Sequence, residues 1–422
     1  MNYKLGVCLI AIMIFTFFSC DEKDTNSNPI EIPEFDDDVI LHTKWPFPVG
    51  VAVPGARTNN AGMSSSQANA LNSSNPQNKL LKHFNVVVAE NEMKPENIMP
   101  SSKPSGDNWK DNYTWGNADA LVKYAKENGK KIRGHTLFWE DQTPSWFFSV
   151  STAEELYSNI DAHAKAVFEK YGGEIEWWDV CNEVIDQSKD GPRRGRYYDI
   201  MQKAGKTGMD QYEYVLKAFQ SARTHANKNG GENVQLFLTD FGVERPFTKE
   251  TKTKQQDFYD LVAWLIQNDA PIDGVGFQGH FRLYDHPVDK NKCLSCTDKT
   301  KCNHDISSGI DLFSAIKKKD NTNIKVQICE LDISIFSNAK GEANNTNVSN
   351  NVLSQRLTDL AQTYRDFFDM FEVKKLDMVV LWGIADGHSW LNDHPVKGRT
   401  DHPLLFDRSY KGKEAYQKLV TD

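Results

Sequence analysis

Two acidic residues in this sequence each stand at the end of a short apolar run. Glu183 follows Trp178-Asp179-Val180-Cys181-Asn182, and Glu330 follows Val326-Gln327-Ile328-Cys329. A pair of carboxyl groups can supply a proton donor and a nucleophile, the two groups that hydrolysis of a glycosidic bond requires. A structural salt bridge is the alternative role for each carboxylate. The two residues are candidates for catalysis if the fold brings them to one site.

Polar and aromatic side chains also stand at the ends of the other apolar runs. Imidazole and amide groups can hold sugar hydroxyls, and indole rings offer flat apolar faces to the C–H faces of sugars. Packing in the interior is the alternative for the tryptophans. The set predicts a carbohydrate site, and its further members are Glu90, Asn91, His135, Trp139, Asn182, Asp240, Gln278, His280, Asp332 and Trp382.

Eight β-branched runs alternate with amphipathic stretches beyond residue 45. Strands that alternate with helices predict a parallel sheet, and eight such units predict a closed (β/α)8 barrel, or TIM barrel, as a single catalytic domain over 45–422. An open doubly wound sheet is the competing fold, but it needs a Gly-rich phosphate turn that the sequence lacks. In a barrel, catalytic groups lie at the C-terminal ends of the strands. The predicted strands are 49–53, 86–89, 131–135, 176–181, 234–238, 274–278, 324–329 and 378–381, and the predicted helices include 117–128, 153–171, 211–229, 254–268 and 352–371.

The composition suits a globular protein with a sizeable core. The chain has 422 residues, of which 39% are hydrophobic and 25% are charged. The formal net charge is −9 and no block rich in Lys or Arg occurs, which argues against nucleic acid as a partner. No paired histidine ligands stand at the strand ends, so no metal or other cofactor is expected. We expect a monomer.

The first 44 residues differ from the rest of the chain. Lys4 precedes an apolar run from Leu5 to Phe18, which is shorter than a bilayer span and has the features of a secretory signal peptide. Cys20 follows a small residue, as in a bacterial lipobox; a chance cysteine after an ordinary signal peptide is the alternative. Residues 20–44 are polar and acidic, as in a flexible tether. We therefore expect a signal peptide at 1–19 and an exported lipoprotein of the outer membrane, which contacts the membrane through its lipid anchor only.

Six motifs over residues 45–420 resemble, in order, those of glycoside hydrolase family 10, the endo-β-1,4-xylanase family. The resemblance implies a retaining glycosidase on a (β/α)8 barrel that cuts internal bonds of xylan. The motifs are Glu90-Asn91-Glu92-Met93-Lys94, Arg133-Gly134-His135-Thr136-Leu137-Phe138-Trp139 with Gln142-Thr143-Pro144, Trp178-Asp179-Val180-Cys181-Asn182-Glu183, Val275-Gly276-Phe277-Gln278-Gly279-His280, Cys329-Glu330-Leu331-Asp332-Ile333, and Trp382-Gly383-Ile384-Ala385-Asp386-Gly387-His388-Ser389-Trp390.

The resemblance also implies roles for the candidate catalytic residues. Glu183 is the acid/base and Glu330 is the nucleophile, and in a retaining enzyme their carboxyl groups lie about 5–5.5 Å apart. Asn182 is expected to bond the sugar 2-hydroxyl. His280 is expected to bond Glu330 and to keep it ionised, with Asp332 behind it; a purely structural role is the alternative for Asp332.

Sugar-binding roles follow from the same resemblance. Glu90, Asn91 and Lys94 match the family's clamp on the sugar two units from the cut, and the substrate is then xylan or a xylo-oligosaccharide. The alternatives are an exo-acting member, a member that prefers decorated xylan or β-glucan, and a non-catalytic xylan-binding surface lipoprotein. The further residues expected around the sugar that is cut are His135, Trp139, Gln142, Gln278, Trp382 and Trp390.

The sequence departs from the family pattern after three of the strands. After strand two, Pro95 follows Met93-Lys94 where the family usually has Trp. Where the family usually has Asn-Asp-Tyr-Asn after strand five, this chain has Thr239-Asp240-Phe241-Gly242, which predicts different hydrogen bonds on the leaving-group side. Glu140 follows Trp139 in place of the usual His. This additional carboxylate either favours a substituted substrate or faces solvent.

A cysteine-rich insert at about residues 285–308 is expected in the loop after strand six. It could form a zinc site, since three thiolates and one imidazole complete a tetrahedron, or a disulfide with a spare thiol, or neither. Cys181 and Cys329 each precede a candidate catalytic Glu, and side-chain alternation predicts that both turn away from the sugar toward the helices. The possible ligands in the insert are Cys293, Cys296, Cys302 and His304.

Overall fold

The β-branched runs form short buried strands in the computed structural model, which describes residues 38–54, 65–246, 251–284, 306–336 and 344–421. The first two strands are buried along their whole length, as in a parallel sheet that is covered on both faces. The strands are β1 (Val49–Val53), β2 (Val86–Ala89), β3 (Lys131–Gly134), β4 (Trp177–Asn182), β5 (Gln235–Asp240), β6 (Gly274–Phe277), β7 (His280–Arg282), β8 (Lys325–Ser334) and β9 (Met378–Leu381).

The strands close into one eight-stranded parallel barrel. β1 pairs with β2 on one side and with β9 on the other, and the ring is completed where β6 pairs with β8. β6 and β7 are two parts of one barrel strand, interrupted at Gln278-Gly279, because both pair with β8. The predicted (β/α)8 barrel is therefore confirmed. β7 was not predicted, since three residues after a glycine show no recognisable alternation.

At least one helix follows each barrel strand. In α5, for example, the Thr152 hydroxyl accepts a hydrogen bond from the backbone N–H of Glu155, which caps the first turn. None of the described helices is long and apolar enough to cross a membrane. The α-helices are α1 (Ser65–Leu71), α2 (Pro76–Lys79), α3 (Pro95–Ile98), α4 (Gly116–Glu127), α5 (Ala153–Tyr171), α6 (Arg196–Lys203), α7 (Glu213–Lys228), α8 (Lys254–Gln267), α9 (Ile306–Ser314), α10 (Asn350–Val373) and α11 (Glu414–Val420), and short 3-10 helices occupy Leu41–Thr43, Leu80–His83, Lys110–Asn112, Ser145–Phe148, Gly172–Glu174, Gly208–Tyr212, Asp386–His388 and Trp390–Asn392.

Alternate side chains of the strands pack into two separate cores. Val87 and Ile328 belong to the larger core, between the barrel and the helices. The smaller core fills the inside of the barrel, because every second residue of a strand points there. Its members are Ala52, Val86, Val88, Trp177, Phe237, Met378, Val380 and Trp382.

A charged pair lies inside the barrel, among these apolar side chains. Arg133 and Asp179 are both fully buried, and the Nε of Arg133 lies 3.2 Å from Asp179 Oδ2. Arg133 also donates to Gln327, and its guanidinium lies 5.1 Å from the ring centre of Phe237. Buried charges are tolerated when they are paired and hydrogen-bonded. Asp179 is in addition 2.9 Å from the Nδ1 of His135, so the pair supports a residue of the candidate site.

The two buried cysteines differ in orientation. Cys181 faces α6 and α7, as predicted. The prediction for Cys329 is wrong, because its sulfur lies on the inner face of the barrel, in the same space as the guanidinium of Arg133. The cause is a register shift of β8 on β9 between Ile328 and Leu331, which interrupts the alternation of side chains.

Candidate active site

Glu183 stands directly after the last residue of β4. Its φ is +57°, a left-handed conformation that is uncommon for residues with a side chain. Trp139 Nε1 and Arg193 Nη1 donate to one carboxylate oxygen, over 3.0 and 3.2 Å, and Gln278 Nε2 donates to the other over 2.9 Å. Both oxygens of Glu183 are therefore held in position.

The surroundings of Glu183 favour its protonated form. Burial raises the pKa of Glu183, and the carboxylates of Asp240 and Glu330 act in the same direction. The hydrogen bond from Gln278 and the charge of Arg193 lower the pKa and offset part of this effect. Because the net direction is upward, Glu183 keeps its proton to a higher pH than an exposed glutamate, as a general acid must.

Glu330 is held by a chain of three side chains. His280 Nε2 lies 3.2 Å from Glu330 Oε2, and the Nδ1 of the same ring lies 3.0 Å from Asp332 Oδ1. Trp390 Nε1 donates to the other oxygen of Asp332 over 2.8 Å, and its ring packs edge-on against His280. Because Asp332 is fully buried, this chain fixes the imidazole and, through it, the Glu330 carboxylate.

The charges of this chain make Glu330 the ionised member of the carboxyl pair. Burial alone would lower the pKa of His280, but the two neighbouring carboxylates raise it to about 10. Burial alone would raise the pKa of Glu330, but His135, His280 and Lys94 bring it below its usual value. Glu183 and Glu330 thus have pKa values displaced in opposite directions, as an acid and a nucleophile require.

Five of the predicted sugar-binding side chains form one cluster beside the carboxylates. Asn91 Oδ1 accepts hydrogen bonds from Lys94 Nζ and from Gln142 Nε2, each over 3.3 Å. The Nζ of Lys94 lies 4.8 Å from the ring centre of Trp139 and 5.9 Å from that of Trp382. The cluster combines amide and ammonium groups with two indole rings, which together suit the hydroxyls and C–H faces of a sugar.

His135 joins this cluster to Glu330. Its ring packs edge-on against Trp382, with centroids 5.2 Å apart, and its Nδ1 lies 3.9 Å from Glu330 Oε1. Glu90, the remaining predicted residue of the clamp, follows β2 directly and is half-buried. Asp179, which holds His135, was not predicted as a site residue. A charged residue within an apolar, fully buried strand was the signal that could have found it.

The unusual segment 239–242, at the end of β5, surrounds a buried ion pair. Lys254 is 1% exposed, and its Nζ lies 2.7 Å from Asp240 Oδ1 and 3.3 Å from the ring centre of Phe241. The other oxygen of Asp240 accepts a hydrogen bond from the backbone N–H of Ile185 over 3.0 Å. Both carboxylate oxygens of Asp240 are therefore bonded to protein groups. Phe241 lacks the hydroxyl that the usual tyrosine of the family would have at this position.

Glu140 has a role that neither alternative anticipated. Its carboxylate accepts a hydrogen bond of 2.8 Å from the backbone N–H of Arg196, the first residue of α6, and its side chain is 14% exposed. A negative charge at a helix N-terminus is favourable, because the first N–H groups of the helix lack partners within it. Glu140 therefore anchors α6 rather than extending toward a substrate or into solvent.

Arg193 contacts Glu183 and was not predicted as a site residue. Its Nη2 lies 2.6 Å from Asp141 Oδ1, while its Nη1 donates to Glu183. The residue lies in the loop between β4 and α6, where no periodic pattern indicates which side chain turns toward the cleft. The sequence therefore carried no signal for this contact.

The predictions on metal binding, cysteine pairing and lipidation can be compared with the structure only in the residues that it describes. Within the described residues, no group of three or more His, Cys, Asp or Glu side chains could hold a metal ion, and Cys181 and Cys329 are free thiols. The residues predicted for the insert and for lipidation lie outside the described residues; they are Cys20, Cys293, Cys296, Cys302 and His304.

The site combines two carboxyl groups with pKa values displaced in opposite directions, at the strand ends of a parallel barrel and next to indole rings. This combination is typical of the (β/α)8 glycoside hydrolases. Comparison with known families agrees with this class. The model of glycosyl hydrolase family 10 matches residues 54–422, so the chain belongs to this family. The predicted family is thereby confirmed.

Relatives and a solved structure agree with this membership. The chain is 32% identical over 422 residues to a β-1,4-xylanase of Dictyoglomus thermophilum, with 99% of each chain covered. It is 31% identical over 366 residues to endo-1,4-beta-xylanase C of Paenibacillus barcinonensis, which covers 83% of this chain but only 30% of that longer protein. A solved GH10 structure from Paenibacillus barcinonensis superposes with a TM-score of 0.71 at 30% identity, over 91% of this chain and 97% of that one.

Proposed function

We propose that this protein is a retaining endo-β-1,4-xylanase in which Glu183 is the acid/base and Glu330 is the nucleophile. The observation that carries the proposal is the link between the two residues through Gln278. The side-chain Nε2 of Gln278 donates to Glu183 over 2.9 Å, and the backbone carbonyl oxygen of Gln278 accepts from the backbone N–H of Glu330 over 2.8 Å. The names of the relatives, β-1,4-xylanases, support xylan as the substrate.

In the first step, ionised Glu330 attacks the anomeric carbon while Glu183 gives its proton to the glycosidic oxygen, and the bond to the leaving sugar breaks. His280 holds the oxygen of Glu330 to which it is bonded, so that the carboxylate keeps its orientation. Asn182 bonds the 2-hydroxyl of the sugar that is cut, a contact that strengthens in the transition state.

In the second step, Glu330 is esterified and no longer carries a negative charge. Removal of this charge lowers the pKa of Glu183, because Glu330 is one of the groups that raise it. Glu183 then accepts a proton from water, which attacks the anomeric carbon on the side that the leaving group has vacated, and the ester bond to Glu330 breaks and restores its carboxylate. Two inversions at one carbon retain the β configuration.

The sugar two units from the cut is held by the clamp of Glu90, Asn91 and Lys94. Trp139 and Trp382 stack against neighbouring sugar faces, and binding there positions the bond that is cut between the two carboxyl groups. A clamp on the second sugar disfavours release of single xylose units, and the name of the relative, an endo-1,4-beta-xylanase, supports cleavage inside a chain.

The first test is hydrolysis of unbranched β-1,4-xylan by a soluble form that begins after Cys20. A mixture of xylo-oligosaccharides of different lengths is the expected product, with the β-anomer formed first in an NMR time course. Release of one short product only would indicate exo action. Equal or higher activity on mixed β-glucan or on glucuronoarabinoxylan, run as matched substrates, would favour those alternatives. Binding to xylan with no release of sugar would favour a non-catalytic binding protein.

The pH profile offers a test of the acid/base environment. Activity requires protonated Glu183, so kcat/KM falls as the pH rises through its pKa. Arg193→Met removes a cation that lowers the pKa of Glu183, so the alkaline limb is expected to move to higher pH. Asp141→Asn removes the partner of Arg193, leaves its charge to act on Glu183, and is expected to move the limb to lower pH. The profile is measured with a xylo-oligosaccharide, whose leaving sugar needs the proton of Glu183, and shifts in one common direction would contradict this account.

We also propose that the mature protein is a monomeric lipoprotein of the outer membrane, anchored through Cys20 and a tether shorter than the predicted 20–44, because Leu41 is fully buried in the larger core and the Tyr416 hydroxyl donates to the carbonyl oxygen of Val39. Lys4, the apolar run 5–18 and the acidic composition of the tether support this proposal. In a bacterial host fed labelled palmitate, the wild type is expected to carry the label and to sediment with outer membranes, whereas Cys20→Ser is expected to do neither. An unlabelled wild type would contradict the anchor, and a dimer in analytical ultracentrifugation of the soluble form would contradict the monomer.

A further inference from the structure

The side chain of Asn182 has a defined orientation in the site. Its Oδ1 accepts a hydrogen bond of 2.9 Å from the hydroxyl of Thr239 and one of 3.2 Å from Gln278 Nε2. Asn182 is 4% exposed and is the register partner of Thr239, on the neighbouring strand. Because two donors hold the oxygen, the amide nitrogen points away from Thr239 and Gln278. Among the described residues, no group accepts a hydrogen bond from this nitrogen.

Gln278 alone is a weak support for this orientation. Its Nε2 is shared between Asn182 and Glu183, and the bond to Glu183 is the shorter one, at 2.9 Å. The hydroxyl of Thr239 has one proton, and its nearest acceptor is Asn182 Oδ1; the carbonyl oxygen of Cys181 lies farther away, at 3.3 Å. The hydrogen bond from Thr239 is thus the shortest contact that fixes which end of the Asn182 amide is the oxygen and which is the nitrogen.

We propose that Thr239 is a positioning residue, whose hydroxyl holds the Asn182 amide so that its nitrogen faces the cleft and donates to the 2-hydroxyl of the sugar that is cut. This role rests on the proposed xylanase function. The resemblance would place an asparagine at this position, so this chain has a hydroxyl where the usual family motif has an amide. A threonine is suited to it, because a hydroxyl donates one bond and brings no second donor that would compete for the amide oxygen.

The methyl group of Thr239 permits a matched exchange. Thr239 is fully buried, and its methyl group packs against Gly276 of the neighbouring strand. Thr239→Val keeps this methyl group and replaces only the hydroxyl by a group of similar size. Thr239→Ser makes the opposite change, since it keeps the hydroxyl and removes the methyl group.

The test compares two substrates, 4-nitrophenyl β-xylobioside and its analogue that lacks the 2-hydroxyl on the sugar attached to nitrophenol. Thr239→Val is expected to lower kcat/KM for the first substrate by about tenfold and for the 2-deoxy substrate by less than about twofold, since the lost bond acts through that hydroxyl. Thr239→Ser is expected to stay within about threefold of the wild type on both. In a cycle with Asn182→Ala, the Thr239→Val exchange is expected to have almost no further effect.

An equal loss on both substrates, or losses that add in the cycle with Asn182→Ala, would overturn the proposal, because a general disturbance of the site acts on both substrates alike. If Thr239→Val does not fold, as judged by thermal unfolding, Thr239→Ala carries the same comparison and the same criterion. Failure of the wild type to cleave the xylobioside would refute the proposed function instead. The two failures are therefore distinguishable.

Discussion

Glu330→Gln is expected to lower kcat/KM for 4-nitrophenyl β-xylobioside by about 10⁴-fold or more, because an amide cannot form the glycosyl-enzyme ester. The exchange preserves the size of the side chain and leaves an oxygen that His280 can still contact. Thermal unfolding is therefore expected to change little compared with the loss of activity. The measurement is initial-rate kinetics with a leaving group that needs no protonation, so that the loss reports on the nucleophile alone.

A matched control for this variant is Glu244→Gln, an exchange of another buried carboxylate, in the loop after β5. This control is expected to retain activity within about threefold. For Glu330→Ala, added azide is expected to restore turnover and to yield the α-xylosyl azide, since a single displacement inverts the anomeric carbon. Turnover by Glu330→Gln close to that of the wild type would exclude Glu330 as the nucleophile.

Glu183→Ala is expected to lower kcat/KM for xylan by about 10²- to 10⁴-fold, the usual contribution of a general acid. The loss for a 2,4-dinitrophenyl β-xylobioside is expected to stay within about tenfold, because dinitrophenolate departs without a proton. Hydrolysis of the glycosyl-enzyme also loses its base, so the glycosyl-enzyme accumulates. As a result, kcat and KM both fall, and a burst of dinitrophenol precedes the steady state. Stopped-flow kinetics with the two leaving groups measures these effects.

Azide distinguishes this variant from the nucleophile variant. With Glu183→Ala, azide attacks the glycosyl-enzyme that Glu330 has formed, and the product is the β-xylosyl azide. For xylan, the alkaline limb that the kcat/KM profile of the wild type shows is also expected to disappear with Glu183→Ala, because no acid at position 183 has to stay protonated. An equal loss on both leaving groups, or an α-azide product, would exclude Glu183 as the acid/base.

The strand pattern was sufficient to predict the barrel. Parallel strands that are buried on both faces read as short β-branched runs, and each run is followed by a stretch with helical periodicity, so eight units appear along the chain with little ambiguity. The same pattern placed Glu183, Glu330 and the sugar-binding candidates at the strand ends, where the structure brings them together. The segment β7 could not be predicted, because its pairing with β8 rather than local preference defines it. The exact ends of the other strands likewise depend on pairing with their neighbours.

Cys329 shows where side-chain alternation fails. A bulge changes the side to which a residue points, and it arises from the register between two strands that are distant in sequence. For Glu140 the sequence likewise showed the residue but not its partner. The exchange of a histidine for a carboxylate is visible in the sequence, but the partner of that carboxylate, the first turn of α6, is brought to it only by the fold.

By itself the sequence determined the fold class, the family and the candidate residues, since these depend on periodicity and on motifs that are continuous along the chain. Only the tertiary structure decided how those residues act on each other. The displaced pKa values of Glu183, Glu330 and His280 arise from burial and from charges on other strands. The contacts of Arg193 with Glu183 and of Thr239 with Asn182 likewise join segments that are separate in sequence, and no local pattern encodes distances of this kind.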